Sequence, residues 1–195
     1  MIIVRHRRNS RAELAATPPE LGVEVDLRSA GEGLIVHHDP FVAGEPFEDW
    51  LTAYSHRLLI LDVKEEGLEE RLLGLMAGRG IADFFFLDQS FPFLIRTALS
   101  GERRSAVRVS EYESVETALA LAGMVDWVWL DCFSRFPLAG AEAERLKRAG
   151  FKLCLVSPEL QGRDEPREIA AMRALIAAEG IALDAVCTKV PELWS

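Results

Sequence analysis

The chain has 195 residues, nearly half of them hydrophobic, and a net charge of −9 from 31 acidic and 22 basic residues. This length and apolar content fit one domain, spanning residues 1–195, with its own core. The negative charge argues against a nucleic-acid or anionic-membrane partner, because phosphate groups would be repelled. A small anionic substrate in a locally positive pocket remains compatible with it.

Three cysteines, Cys132, Cys154 and Cys187, lie in apolar runs without the close spacing of a metal or redox motif. We expect them to be buried in a reducing compartment. The apolar run after Met1 is too short for a signal peptide or a membrane anchor. The sequence thus predicts a cytoplasmic protein without membrane insertion, and no pattern in it indicates an oligomeric state.

Short β-rich segments alternate with helical segments along the whole chain. We predict strands over residues 2–5, 22–27, 57–63, 83–87, 105–109, 126–132, 151–156 and 184–188. Ser10 and Glu13 have the spacing of a capping box before a short first helix. An extra extended piece at 34–37 and a helix at 47–54 separate the second strand from the third. The longest late helix is predicted to begin after Asp164 and to end near Glu179.

Eight strands separated by helices predict a parallel sheet, and eight strands close a (β/α)8 TIM barrel. Such barrels usually need roughly 200 to 250 residues, so this one is expected to be compact, with short helices and loops. A doubly wound open sheet is the alternative. No linker, repeat or low-complexity stretch divides the chain.

Acidic residues mark the second and third predicted strands. Glu24 and Asp26 are two positions apart and therefore share one face of a strand, roughly 6.5 to 7 Å apart. Two carboxylates on one partly buried face repel each other, and an oxygen-preferring cation such as Mg2+ or Ca2+ relieves this. Asp62 supplies a third carboxylate, and Lys64 is placed to neutralise a substrate phosphate. The alternative is that the second strand is an edge with a polar, solvated face.

Two histidines are candidates for acid–base chemistry. His6 ends the first strand and His38 begins a loop, and an unperturbed imidazole titrates near neutral pH. His37 is expected to point away from His38, because adjacent side chains of an extended segment face opposite ways. His56 is interpreted as a surface residue. Later strand ends supply further pocket candidates, with Arg108 and Glu159 as substrate-binding residues beside Trp129, Asp131, Gln161 and Lys189.

The motifs of residues 6–64 resemble those of the glycerophosphodiester phosphodiesterases, in the barrel superfamily of phosphatidylinositol-specific phospholipase C. That family has His-Arg-Gly after strand one, Glu-x-Asp on strand two, His-Asp after it and Glu-x-Lys on strand three. In the same order, this sequence has His6-Arg7-Arg8, Glu24-Val25-Asp26, His38-Asp39 and Asp62-Val63-Lys64.

The resemblance implies a role for each matching position. His6 and His38 would be the acid–base pair, Arg7 and Lys64 would bind the phosphate, and Glu24, Asp26 and Asp62 would hold one divalent cation. A hydroxyl next to the phosphate would attack it and an alcohol would leave.

Three departures from the family pattern affect the site. Arg8 replaces the family's glycine and Asp62 is shorter than the usual glutamate. The segment 41–57 has only 17 residues, where the family carries a much longer insertion. The short segment indicates a different or larger substrate, or a more open site.

The sequence therefore predicts a metal-dependent phosphoric diester hydrolase for a glycerophosphodiester-like or related small phosphodiester. The changed third ligand and the short segment leave open a barrel that binds a phosphorylated ligand without cleaving it. A metal-independent lyase, with a basic residue at the metal position, is disfavoured because Glu24 and Asp26 together need a cation.

Overall fold

The computed structural model describes residues 1–195 as ten strands and seven α-helices, with three short 3₁₀ turns. The strands are β1 (Ile2–Arg5), β2 (Gly22–Ala30), β3 (Gly33–Val36), β4 (Glu45–Pro46), β5 (Leu59–Val63), β6 (Phe84–Leu87), β7 (Ala106–Val109), β8 (Trp127–Leu130), β9 (Lys152–Val156) and β10 (Ala185–Thr188). The helices are α1 (Arg11–Ala15), α2 (Phe47–Trp50), α3 (Glu69–Arg79), α4 (Phe91–Leu99), α5 (Val115–Leu119), α6 (Gly140–Arg148) and α7 (Glu165–Ala178). The 3₁₀ turns cover Leu51–Ala53, Pro158–Gln161 and Pro191–Leu193.

All eight predicted parallel strands are present and form one curled sheet. Parallel ladders join β1 to β2, β2 to β5, β5 to β6, β7 to β8, β8 to β9, β9 to β10 and β10 to β1. Between β6 and β7 there is a single parallel bridge, from Phe86 to Ser105. The first and last parallel strands are thus neighbours, which is the cyclic order of a barrel rather than that of a doubly wound sheet.

An antiparallel extension departs from the eight-strand pattern. β2 continues three residues beyond the predicted end and pairs through Leu27–Ala30 with β3, which pairs in turn with β4. The short segment 41–57 is filled by β4, α2 and the first 3₁₀ turn. Trp50 fixes this segment to the chain after β1, because its indole Nε1 donates a 2.7 Å hydrogen bond to the Arg8 carbonyl. The helix predicted over residues 47–54 is shorter than expected, because α2 ends at Trp50 and a 3₁₀ turn continues to Ala53.

The alternation of side chains along the strands produces two kinds of packing. In β2 and β5, Val25 and Leu61 pack with the surrounding helices in a cluster of 17 buried residues. Ile60 points the other way, into an inner cluster of 12 buried residues that includes Trp127 and Trp129, as expected for buried tryptophans. Glu24, Asp26 and Asp62 occupy the same strand faces as this inner layer, because residues two apart point to one side.

Cys132, Cys154 and Cys187 are free and buried, as predicted. None of the seven helices has the length and apolar character needed to cross a membrane. The long helix α7 begins after Asp164 and ends at Ala178, with Glu179 as its C-cap, as the sequence indicated.

Candidate functional site

Glu24, Asp26 and Asp62, the acid triad, converge at the carboxyl end of the inner sheet face. Asp26 and Asp62 are register partners on the neighbouring strands β2 and β5, and Glu24 lies one inward position below Asp26. One carboxylate oxygen from each residue lies within 4.8 Å of the others. All three side chains are buried, so the alternative of a solvated edge strand is wrong.

Each acid of the triad has one oxygen that accepts no hydrogen bond. These atoms are Glu24 Oε1, Asp26 Oδ1 and Asp62 Oδ1. Burial and the neighbouring carboxylates of Asp26 and Asp62 raise the pKa of Glu24 well above its ordinary value. Burial and the nearby Asp88 raise the pKa of Asp62 to about 7. Three crowded, desolvated carboxylates with free lone pairs fit a hard divalent cation, which prefers oxygen ligands.

The chain after β1 holds the other oxygens of the triad in place. The backbone N–H of Arg7 donates a 2.7 Å hydrogen bond to Glu24 Oε2, and Arg7 has a left-handed backbone with φ of 50°. Asn9 pairs reciprocally with Asp26, donating from Nδ2 to Oδ2 at 2.7 Å and accepting the Asp26 N–H at 3.0 Å. The Arg7 guanidinium Nε lies 3.5 Å from Asp26 Oδ2. This segment orients the acids as an outer shell orients metal ligands.

Lys64 links the triad to a second group of charges at the same end of the sheet. Its Nζ lies 2.5 Å from Asp62 Oδ2, 3.2 Å from Asp26 Oδ1 and 3.4 Å from Asp88 Oδ2. Asp88 also pairs with Arg108, which in turn lies 2.5 Å from Asp131 Oδ2. These acids raise the pKa of Lys64 despite its burial, so the ammonium stays charged. The predicted phosphate-binding cations, Lys64 and Arg108, therefore share this ionic network.

His6, one of the two predicted acid–base residues, lies beside the triad. Its Nε2 is 3.7 Å from Glu24 Oε2, and its buried Nδ1 has no hydrogen-bond partner. Burial and the positive charge of Arg7 lower the pKa of His6 to about 3, so the imidazole is neutral in this structure. The neutral ring thus has a buried nitrogen that no group of the protein occupies.

His38 lies on the chain leaving β3 and bonds to its own loop rather than to the triad. Its Nδ1 is 2.8 Å from Asp39 Oδ1, and its carbonyl accepts two hydrogen bonds from the Arg28 guanidinium. A carboxylate at Nδ1 fixes the tautomer with the proton on that nitrogen, which leaves Nε2 free. His37 instead accepts the backbone N–H of Asp39 at 2.9 Å.

One residue, His56, differs from its sequence-based interpretation. His56 is buried, with Nε2 3.0 Å from the Thr17 carbonyl, so its assignment as a surface residue is wrong. Its ring lies against that of Tyr54, at a centroid distance of 5.7 Å. The guanidinium of Arg8 donates to the His6 carbonyl at 3.0 and 3.2 Å, which directs its charge onto the backbone at the end of β1.

Glu159 lies in a separate hydrogen-bond cluster between the ends of β9 and β10. Its Oε1 accepts from the Thr188 hydroxyl at 2.6 Å and from the Lys189 N–H at 2.9 Å, and its Oε2 accepts from Ser157. The prediction that Glu159 binds substrate therefore finds no support in its contacts, because its oxygens are already occupied. Gln161, on the same 3₁₀ turn, instead reaches the site and donates to Asp131 Oδ1 at 2.6 Å.

Replacing Glu159 with alanine is expected to lower the free energy of unfolding by about 1–3 kcal/mol, because it leaves buried donors unpaired. Urea denaturation measures this change, and Glu192→Ala, at an exposed glutamate near the C-terminus, is the control. Unchanged stability together with weakened substrate binding would restore the substrate-binding interpretation.

Three site residues were not among the predicted ligands and catalytic groups: Asn9, Asp39 and Asp88. Asp88 directly follows β6 and has φ of 59°. Its position after a strand is the sequence signal that points to it, because sites in such folds lie at the carboxyl ends of the strands. Asp39 lies in the His-Asp motif itself. Asn9 gave no signal beyond its nearness to His6, because its partner Asp26 is distant in sequence.

Comparisons with known proteins show likeness in structure but not in sequence. No protein-family model matches the chain, and no curated protein matches it. A crystal structure of a glycerophosphodiester phosphodiesterase from Agrobacterium tumefaciens str. C58 matches with a TM-score of 0.65 at 14% identity, covering 100% of this chain and 97% of that one. A glycerophosphoryl diester phosphodiesterase from Parabacteroides distasonis ATCC 8503 matches with a TM-score of 0.63 at 13% identity, covering 98% and 85% of the two chains. The chain therefore has the fold of the glycerophosphodiester phosphodiesterases, the family that its motifs in residues 6–64 resemble.

Proposed function

We propose that this protein is a phosphoric diester hydrolase that requires one divalent cation, Mg2+ or Ca2+, held by Glu24, Asp26 and Asp62. The observation that carries the proposal is the convergence of three buried carboxylates, each with one oxygen that accepts no hydrogen bond, although Lys64 Nζ lies 3.2 Å from that of Asp26. Burying such a group without a cation is costly. The fold shared with known phosphodiesterases supports the reaction class.

The proposed substrate is a small phosphodiester that binds across the acid triad and its neighbouring cations. Arg7 is the best-placed phosphate ligand, since its side chain is 43% exposed next to Asp26 and its guanidinium fork suits two oxygens. Lys64 and Arg108, both paired with acids, are the further cations on the β5–β7 side of the site. The cation, when bound, would polarise the phosphoryl oxygens and offset their charge.

The two histidines would move the protons of the reaction. A hydroxyl of the substrate, or a water molecule where the substrate carries none, attacks phosphorus, so that a new O–P bond forms while the P–O bond to the leaving alcohol breaks. Water then opens any cyclic diester that a substrate hydroxyl has formed. One of His6 and His38 takes the proton of the attacking hydroxyl, and the other gives a proton to the departing oxygen. Asp39 would keep His38 oriented through the 2.8 Å contact with Nδ1.

We infer that the curled sheet is a closed (β/α)8 barrel and that the proposed site lies at its carboxyl end. The bridge from Phe86 to Ser105 and the 2.8 Å hydrogen bond from the Phe86 N–H to the Arg104 carbonyl support closure between β6 and β7. Active sites of such barrels lie at this end of the strands.

The test is cleavage of bis(p-nitrophenyl) phosphate by the purified chain with Mg2+ or Ca2+. We expect slow release of p-nitrophenol that stops when EDTA removes the cation and returns when the cation is restored. Cleavage of neither this ester nor a broader panel of diesters with any divalent cation would contradict the proposal.

A barrel that binds a phosphorylated ligand without cleaving it is the second candidate. The position of Lys64 favours it, because its ammonium already pairs with Asp26 and Asp62 inside the triad. In that case glycerol phosphate would raise the melting temperature of the protein, and no diester would be turned over with any cation.

A further inference from the structure

The two histidines proposed for proton transfer share one backbone feature. Each is half-buried and lies shortly after the end of a strand, His6 after β1 and His38 after β3. No backbone N–H donates to the carbonyl of either residue. A carbonyl that has left a sheet ladder needs another donor where water does not reach it freely. In both cases an arginine side chain is that donor.

The two arginines, Arg8 and Arg28, use the same pair of nitrogens. Arg8 donates to the His6 carbonyl from Nε at 3.2 Å and from Nη2 at 3.0 Å. Arg28 donates to the His38 carbonyl from Nε at 3.0 Å and from Nη2 at 2.9 Å. Every other arginine hydrogen bond to a backbone carbonyl in this chain uses one nitrogen for each carbonyl. The paired arrangement, here called the arginine fork, therefore occurs only at these two histidines.

The fork of Arg8 closes the turn that follows β1. Arg7 lies between the two joined residues with φ of 50°, a left-handed conformation that is costly for a residue with a side chain. The backbone of Arg8 is itself held, because its N–H donates to the Glu24 carbonyl at 2.8 Å and its carbonyl accepts from Trp50 Nε1 at 2.7 Å. A fixed backbone thus carries the side chain that holds the His6 carbonyl.

The fork of Arg28 joins the His38 loop to the chain after β5. The third guanidinium nitrogen, Nη1, donates to the Lys64 carbonyl at 3.3 Å and lies 4.0 Å from the Glu65 carboxylate. The side chain of Arg28 is only 17% exposed, and Arg28 follows Asp26 by two positions on β2, so both leave the strand on the same side. One guanidinium therefore fixes the backbone at His38 relative to that at Lys64.

We propose that Arg8 and Arg28 are positioning residues that fix the two imidazoles for proton transfer, Arg8 acting on His6 and Arg28 on His38. The inference rests on the proposed hydrolysis for the roles of the two histidines. A guanidinium presents donors in a rigid plane, whereas the ammonium of lysine is a single point donor on a flexible stem. Positive charge alone therefore does not replace the fork.

The immobility of the rings is tested first, without a substrate. The ¹³C relaxation of the four histidine rings is measured in the full chain. We expect faster motion of the His6 ring in Arg8→Lys and of the His38 ring in Arg28→Lys, because the backbone below each ring is released. The ring of His56, which no arginine fork holds, should be unchanged in both variants.

A matched control is Arg79→Lys. Arg79 donates to the Glu48 carbonyl through Nη2 alone, at 2.9 Å, so its replacement removes an arginine–carbonyl contact far from the histidines in the chain. All four rings should then move as in the wild type. Arg8→Gln and Arg28→Gln are second variants, which keep an N–H donor without the charge. Since they also lack the fork, they should loosen the same rings as the lysine variants.

Cleavage of bis(p-nitrophenyl) phosphate is tested as a double-mutant cycle. We expect Arg8→Lys and Arg28→Lys each to lower kcat about 10- to 100-fold, the usual effect of losing a group that orients a site residue. In the His6→Ala protein, Arg8→Lys should lower the rate no further, because the arginine acts only through that histidine. The same is expected for Arg28→Lys in the His38→Ala protein. Arg79→Lys should cleave at the wild-type rate.

The two measurements separate this inference from the proposed function. Loosened rings in a protein that cleaves no diester would sustain the fixing of the imidazoles and contradict the hydrolase. Unchanged rings together with wild-type rates in both lysine variants would overturn the inference and leave the hydrolase standing. If Arg8→Lys lowered the rate equally in the wild type and in His6→Ala, Arg8 would support the fold or the triad instead, and its assignment would be overturned.

Discussion

Asp26→Asn is expected to abolish the stabilisation of this protein by divalent cations and to lower diester cleavage by at least about 100-fold. Asp26 is central to the triad, because it pairs in register with Asp62 and accepts from Asn9, while its Oδ1 receives no hydrogen bond. An amide at this position removes the negative charge with almost no change in volume. Thermal unfolding with increasing Mg2+ or Ca2+ measures the first effect, and p-nitrophenol release measures the second.

A matched control for this variant is Asp131→Asn. Asp131 is also a buried aspartate at the carboxyl end of the sheet, but it pairs with Arg108 and Gln161. Its amide variant should keep the cation-dependent rise in melting temperature. If Asp26→Asn were stabilised by cations as strongly as Asp131→Asn, the triad would not be the cation site.

Without a bound cation, loss of one acid of the triad should not destabilise the protein. Glu24→Gln removes one of three buried charges and keeps an oxygen to accept the 2.7 Å hydrogen bond from the Arg7 N–H. We therefore expect a melting temperature in EDTA equal to or above that of the wild type, because like-charge repulsion is relieved. Scanning calorimetry in EDTA checks this, and a clear fall in melting temperature would argue that Glu24 stabilises the fold by itself.

His6→Ala is expected to lower diester cleavage by about 10²- to 10⁴-fold, the range for loss of a general acid or base. His6 is the only histidine within 4 Å of a triad oxygen, at 3.7 Å from Glu24 Oε2. Cleavage of an ester with a poor leaving group, such as an alkyl diester, should be affected most if the lost group is the acid. Cation-dependent stabilisation measured in parallel shows whether the triad survives the change.

Variants of the two adjacent histidines, His37 and His38, show which of them takes part in cleavage. His38→Ala should lower cleavage comparably, whereas His37→Asn should not, since asparagine keeps an acceptor for the Asp39 N–H that His37 accepts at 2.9 Å. Equal losses in both would mean that the loop's conformation, rather than the His38 imidazole, controls the rate. Full activity in His6→Ala would exclude the two-histidine mechanism.

The likeness to phosphodiesterases at 13–14% identity is one of backbone, and it does not transfer residue roles by itself. What makes the roles testable is that the same few positions satisfy two independent conditions. The motif order of residues 6–64 selects them from the sequence, and the buried triad with its unpartnered oxygens selects Glu24, Asp26 and Asp62 from the structure.

The sequence by itself determined the strands, the alternation with helices and the inward pair on β2. Those features are local: strand length, side-chain alternation and helix ends depend on residues a few positions apart. The alternation that places Val23 and Val25 against the helices necessarily places Glu24 and Asp26 on the inner face. For the same reason Asp62, on β5, and Lys64, directly after it, point to the same side.

Only the tertiary structure decided which partners the side chains on these faces have. Asn9 donates a hydrogen bond to Asp26 from 17 positions away, Asp88 joins Lys64 to Arg108, and Glu159 accepts from Thr188. Such pairings depend on strand register and loop path, which connect residues distant in sequence. His56 shows the same dependence, since the carbonyl that satisfies its buried ring belongs to Thr17. The sequence thus predicted most of the chemical groups of the candidate site, whereas their hydrogen-bond and ion-pair partners could be identified only in the folded structure.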